Sequence, residues 1–313
     1  MLSLTFLGTS AARPTVERSV SSIVIQREGE TLMFDCGEGT QRQMMRYGVG
    51  FTLCEIFFTH FHADHFLGVI GLIRTFGLQG REEPLHLYGP RGAARILRGA
   101  VALGVGRSPF PIEIHELEVG DCLPRKQYDI EVLRADHGAA FGYALREHER
   151  LGRFDPEKAL SLGIPEGPLW GRLHRGERVE WEDTSVSPPV RRSAGPEELV
   201  GPPRRGRLVV ISGDTRPTAE LVRAAAGADL LVHEATFSDE ERERAAETRH
   251  STAREAAQVA LAARAKKLVL THLSARFSIT AGELLDEAQA VFAEAVVARD
   301  GMTVEVPFAD KGD

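Results

Sequence analysis

The sequence predicts an α/β protein, because short apolar runs alternate with amphipathic stretches along most of the chain. Four of those runs are followed by histidine or aspartate, which would line one edge of a sheet with metal-ligating side chains. One long stretch, about 146–205, breaks the rhythm with proline, glycine and charge.

Apolar runs predict strands over 2–7, 22–26, 31–34, 56–58, 85–88, 130–133, 208–211, 230–232, 267–270 and 303–306. Glu28-Gly29, between the second and third of these, predicts a hairpin turn. Helices are expected over 41–47, 67–76, 93–103, 218–226, 253–263 and 282–293. The last three are rich in Ala, Leu, Glu and Arg, which are strong helix formers. The interrupting stretch holds Pro165, Pro168, Pro188, Pro189, Pro196, Pro202 and Pro203. Its flanks, 141–145 and 208–211, both look like core strands. The expectation is therefore one domain over 1–313 with an inserted arm at about 146–205, not two domains joined by a linker.

The 313 residues are 42% hydrophobic and 27% charged, a balance that suits a globular enzyme. No apolar run reaches the ~20 residues of a membrane helix. The start, Met1 to Gly8, reads as a short strand without a basic region or cleavage signal, so a cytoplasmic address and no membrane partner are expected. Cys36, Cys54 and Cys122 are far apart and form no C-x-x-C pair. They are expected to be small buried hydrophobes, neither bridged nor metal-bound. The formal charge of −7 argues weakly against a nucleic-acid partner, but it counts metal-ligating carboxylates as free anions.

The chemistry concentrates in His60-Phe61-His62-Ala63-Asp64-His65, just after an apolar strand end. Imidazole and carboxylate at this density suit divalent zinc, manganese or iron. Alternate spacing can aim His60 and His62 at one ion, and the turn at Asp64 and His65 can reach a second. His137, Asp214 and His272 each follow a strand in the same way. Together these make about seven ligands for two ions, with Asp214 the best candidate for a shared carboxylate. His86, His115, His148 and His174 show no metal-like spacing, and His233 is expected to be structural.

This His-x-His-x-Asp-His motif, followed by a distant His, an Asp and a final His, resembles the metallo-β-lactamase superfamily. The resemblance implies an αβ/βα four-layer sandwich with an inserted flexible arm and two zinc-type ions between the sheets. Asp35, in Phe34-Asp35-Cys36-Gly37-Glu38-Gly39, matches that family's early aspartate, which acts behind the ligands. Further segments are similar to the ribonuclease Z family of tRNA 3′-end nucleases. These are Leu7-Gly8-Thr9, Gly167-Pro168 with Leu173, Gly176 and Val179, His233-Glu234-Ala235-Thr236, His250-Ser251-Thr252, and Thr271 through Arg276. The likeness covers nearly the whole chain, arm included.

That resemblance implies a zinc-dependent endoribonuclease acting on precursor tRNA. It would leave a 3′-hydroxyl on the tRNA and a 5′-phosphate on the trailer, and would work as a homodimer. Two ions lower the pKa of the attacking water and stabilise transition-state charge. Asp64 is expected to orient that water and take its proton, and His250, oriented by Glu234, to protonate the leaving 3′-oxygen. Expected substrate contacts are Arg18 near the N-terminus, Ser251 and Thr252, and in the arm Gly167, Pro168, Arg172, Arg175, Gly176 and Arg178. Ser251 or Thr252 also suits a helix N-cap. One departure stands out: where the family carries Pro-x-Lys-x-Arg-Asn, this chain has Pro14 and Arg18 but Val16 and Ser19 for the Lys and Asn. That loop bears on CCA-ended tRNA. The competing readings are a small-molecule hydrolase of the same fold and an RNA-binding subunit without catalysis. Arginine clusters in the arm weigh against the former, and the intact ligand set against the latter.

Overall fold

The computed structural model describes residues 1–103, 108–184 and 186–308. The chain divides into two compact units, one built from residues 1–146 and 207 onward, the other from Glu147–Gly206.

The strands in chain order are β1 (Leu2–Gly8), β2 (Ser22–Arg27), β3 (Glu30–Phe34), β4 (Glu55–Phe57), β5 (Leu85–Pro90), β6 (Ile112–Leu117), β7 (Cys122–Pro124) and β8 (Tyr128–Arg134). They continue with β9 (Phe141–Glu147), β10 (Val179–Asp183), β11 (Val190–Ala194), β12 (Leu208–Ile211), β13 (Leu230–Glu234), β14 (Leu268–Thr271), β15 (Ala295–Val297) and β16 (Thr303–Glu305). The larger unit holds two seven-stranded sheets, ordered β16-β1-β2-β3-β4-β5-β6 and β15-β14-β13-β12-β9-β8-β7. The hairpin at Glu28-Gly29 is present, with both residues at positive φ, as a tight turn of this kind requires.

Period-two alternation builds the layers. In β2, Ile23 and Ile25 face the opposite sheet while Val24 faces helices. In β12, Val209 and Ile211 face inward while Leu208 and Val210 meet the other helical layer. Both faces of the central strands are thus buried, which is why they read as unbroken apolar runs. Helix, sheet, sheet, helix is the resulting order, the four-layer arrangement that the resemblance implies. On the second sheet lies the helix Ala253–Ala263, whose Ala253, Ala256, Ala257, Ala260 and Ala263 are buried. Small side chains let its backbone sit close to the strands.

Four strands of the larger unit fall outside the ten that the apolar runs predict: β6, β7, β9 and β15. β9 is expected apart from those ten, as the core strand at 141–145 that flanks the arm. The other three lie at or next to sheet edges, and their half-exposed patterns carry little apolar signal. Cys36 is buried as expected, but Cys54 and Cys122 are exposed, so the buried-hydrophobe reading fails for those two; all three are free thiols.

Residues 147–206 lack strong periodicity yet have their own core. Ala159, Ile164, Leu173, Val179, Trp181, Ala194 and Leu199 form it. Two short helices, Pro156–Ser161 and Pro168–His174, pack with the β10–β11 hairpin around these residues. Asp155 caps the first helix by accepting the Lys158 N–H at 2.9 Å. Arg150 and Arg204 exchange backbone hydrogen bonds of 2.8 and 2.9 Å, so the two ends of this unit run side by side.

Candidate metal centre

The strand ends β4, β12, β13 and β14, with the loop after β8, bring the polar residues together in the larger unit. After β4 the chain turns into a short helix, Ala63–Phe66, which carries Asp64 and His65. After β12 it turns through Gly213 (φ 61), where a Cβ would stand 2.3 Å from the Phe141 carbonyl oxygen. Only glycine fits there, and the turn swings Asp214 inward.

All seven expected ligands converge, in two groups. His60, His62, His137 and Asp214 form one, Asp64, His65 and His272 the other, and the donor atoms of each lie within 4.8 Å of one another. Asp214 joins them: its Oδ2 is 3.6 Å from His60 Nε2 and 3.4 Å from both His65 Nε2 and His272 Nε2. Asp64 Oδ2 stands 3.3 Å from His272 Nε2 and 3.5 Å from His65 Nε2, and accepts the Ala12 N–H at 2.7 Å. His62 Nδ1 and His137 Nε2 are 3.4 Å apart on the solvent side.

The donor set fits divalent cations. His60 Nε2 is buried with no hydrogen-bond partner, a costly state unless a ligand takes its lone pair. His65 Nε2 and His272 Nε2 lie 3.3 Å apart, with their other ring nitrogens engaged elsewhere. His65 Nδ1 meets Asp35 Oδ2 at 2.8 Å, His137 Nδ1 donates to the Arg249 carbonyl at 2.9 Å, and His272 Nδ1 donates to Thr236 Oγ1 at 2.9 Å. Such contacts fix the tautomer that leaves Nε2 free for a metal.

Electrostatics point the same way. Burial, then repulsion from a neighbouring His65 charge, pushes the His60 pKa down to about 2, so the ring is a neutral donor. Burial opposes charge on His65, but Asp214 and Asp35 outweigh it and raise its pKa well above the usual value. Burial opposes ionisation of Asp214 as well, yet the surrounding imidazoles hold its pKa far down. Buried carboxylates thus demand positive charge at this point.

At the rim, His250 Nδ1 donates to Glu234 Oε1 at 2.8 Å. Thr236 Oγ1 donates to Glu234 Oε2, also at 2.8 Å, so one carboxylate is tied to His250 directly and to His272 through a threonine. Burial lowers the His250 pKa, but the Glu234 hydrogen bond outweighs that and the net shift is upward. Arg216 Nη1 donates to the His250 carbonyl at 2.5 Å and to Glu255 Oε2 at 2.7 Å. Thr59, whose hydroxyl donates to Asp35 Oδ2 at 2.9 Å and lies 3.0 Å from His60 Nδ1, was not foreseen, nor were Thr236, Arg216 and the Ala12 amide, since single hydroxyls, amides and guanidinium groups leave no spacing signature. Backbone strain gathers here too. Ala12, Asp35, Arg249 and His272, each of which contacts the centre, are non-glycine residues at positive φ.

Three expected substrate contacts are used otherwise. Arg18 is buried, and its guanidinium donates to Thr9 Oγ1 and Ala298 O at 2.7 Å and Ser278 O at 3.2 Å. Ser251 is fully buried and donates to the Thr215 carbonyl at 2.6 Å. Thr252 is also buried and caps the helix Ala253–Ala263: its hydroxyl accepts the Glu255 N–H, and Glu255 accepts its N–H in return. In the smaller unit Gly167 (φ 130) and Pro168 open the helix Pro168–His174, and Gly176 (φ 93) lies just beyond its end. Arg172 and Arg175 pair with Glu177, and Arg178 with Glu197, all at the surface.

Residues 15–144 match the family model of the metallo-β-lactamase superfamily. A ribonuclease Z from Myxococcus xanthus is 56% identical over 99% of both chains. One from Gemmatimonas aurantiaca is 55% identical, covering 98% of this chain and 96% of that one. Among solved structures, the short form of human tRNase Z superimposes with a TM-score of 0.69 at 28% identity, covering 98% of this chain and 100% of the other.

Proposed function

Since this chain belongs to the ribonuclease Z family of the metallo-β-lactamase superfamily, we infer that it is an endoribonuclease that processes the 3′ ends of tRNA. The observation that carries the reading is the pairing of two ligand groups through Asp214 with a His250–Glu234 pair at their rim.

The finer assignments are proposals built on that geometry. His60, His62, His137 and Asp214 would hold one ion, and Asp64, His65, His272 and Asp214 the other, with zinc favoured by the imidazole-rich set. When bound, two such ions lower the pKa of the attacking water and stabilise charge on the phosphoryl oxygens. Asp64, anchored by the Ala12 amide, orients the water and accepts its proton. His250 then donates a proton to the ribose 3′-oxygen, a poor leaving group without one. Glu234 keeps the His250 Nδ1–H engaged, so that Nε2 faces the reaction. The products are a tRNA ending in a 3′-hydroxyl and a trailer beginning with a 5′-phosphate.

In the same proposal, residues 147–206 hold the tRNA through Arg172, Arg175 and Arg178. Exposed ion pairs are worth only about 0–1 kcal/mol, so these arginines can exchange Glu177 and Glu197 for phosphates at little cost. The homodimer and the cytoplasmic address belong to this reading too. No helix among the described residues is long and apolar enough to cross a membrane.

The test uses the full chain with zinc or manganese, a precursor tRNA and a small chromogenic phosphodiester. Cleavage of the precursor at its 3′ side with the end groups above is expected. Turnover of the chromogenic compound alone would return the site to a small-molecule hydrolase.

A further inference from the structure

Away from this centre, two histidines and a glutamate meet at the edge of the first sheet. His86 lies on β5, and Glu113 and His115 lie on β6, the edge strand. In register, His86 is opposite Glu113 and Tyr88 is opposite His115. Residues two apart share a face, so the two strands bring all three side chains to one spot. The histidines are 29 positions apart in sequence, which is why spacing alone gave no sign of them.

His86 Nδ1 is 3.2 Å from His115 Nε2 and 3.4 Å from Glu113 Oε2; the last pair, His115 Nε2 and Glu113 Oε2, is 4.0 Å apart. Ligands about 2.0–2.1 Å from a tetrahedral zinc ion stand roughly 3.3 Å from one another. Two of the three separations match that value, and the third needs a small rotation of an exposed glutamate. A hydrogen bond between the imidazoles accounts for the 3.2 Å separation and leaves the Glu113 carboxylate 3.4 Å from the same His86 nitrogen.

The site is also held in place. Phe34, Phe57, Tyr88 and His115 stack across four neighbouring strands with centroid separations of 5.2, 4.6 and 4.6 Å. The ladder fixes the plane of the His115 ring, which is the ordering a metal site otherwise has to supply on binding. The three side chains are 31–52% exposed, so an ion can reach them and water can complete its coordination.

We propose that His86, Glu113 and His115 form an ancillary site for one divalent ion of the zinc class, separate from the catalytic pair. Bound there, the ion ties β6 to β5 and stiffens an edge that otherwise presents unpaired backbone groups.

The test is zinc stoichiometry of the full chain by equilibrium dialysis, comparing the wild type with His86→Gln/His115→Gln. Wild type is expected to hold one ion more per chain than the double variant. That difference is read independently of how many ions the main centre retains, so failure of the nuclease reading would not mimic failure here. A second measurement covers the case of a poorly folded double variant. Adding zinc beyond the first two equivalents should slow amide exchange in Ile112–Leu117 of the wild type, and Glu113→Gln should abolish the slowing. Equal stoichiometry in the two proteins, or exchange in β6 that zinc leaves unchanged, overturns the proposal.

Discussion

Asp214 stands within 3.6 Å of three imidazole nitrogens drawn from both ligand groups. In the proposed assignment this carboxylate serves both ions, so it cannot be lost from one of them alone. Asp214→Ala is therefore expected to empty both sites, and metal analysis that still finds about two ions per chain would remove the shared role. His250 also has a ring nitrogen within 4.8 Å of donor atoms of Asp214 and His272, but its Nδ1 is engaged by Glu234 at 2.8 Å. His250→Ala should keep its metal and its tRNA affinity but lose cleavage rate by roughly 10²–10⁴-fold. A substrate with sulfur as the leaving atom needs little protonation and should recover most of that loss; equal slowing with sulfur would give His250 another task. The seven candidate ligands that converge in the structure were legible in sequence because imidazole and carboxylate at strand ends have few other uses in such density. Thr59 and Thr236 were not, because a hydroxyl becomes informative only once its partners are placed.

Elements were most legible where both faces are buried and least so where one is wet, although the half-exposed edge strand β16 was still legible. β12 and β13 announce themselves as apolar runs, whereas β6 mixes Ile112 and Ile114 with Glu113, His115 and Glu116 and sits at an edge. The same limit affected the polar residues near helix starts. Thr252 has both a capping spacing and a place in a substrate-like motif, and burial decides for the cap. Thr252→Ala should cost about 1 kcal/mol of stability, a fall of a few degrees in Tm, with KM for tRNA unchanged. Arg18→Ala should act similarly and more strongly, since three acceptors lose their buried donor. A raised KM without a change in Tm, in either variant, would restore the substrate-contact reading.

For the whole molecule, the two seven-stranded sheets and their helices account for all seven candidate metal ligands and for Glu234 and His250, while residues 147–206 contribute none of them. The sequence showed that segment by its broken rhythm but hid its core, because Leu173, Val179, Trp181 and Ala194 are spread over short elements. The proposal that it holds tRNA can be tested by removal. Arg150 and Arg204 are already paired through their backbones, so a short Gly/Ser linker can replace residues 151–202 without stretching the chain. The larger unit keeps its own layers and should fold and load metal. A small phosphodiester reaches the ligands unaided, so its hydrolysis should survive. Binding of precursor tRNA should weaken strongly. Affinity should also fall less steeply with salt than in the full chain, since each lost phosphate contact removes about 0.7–0.9 from the slope of log affinity against log salt. A folded, metal-loaded deletion variant that cleaves precursor tRNA as well as the full chain would show that this unit holds no substrate, and the arginines at 172, 175 and 178 would then be surface ion pairs and nothing more.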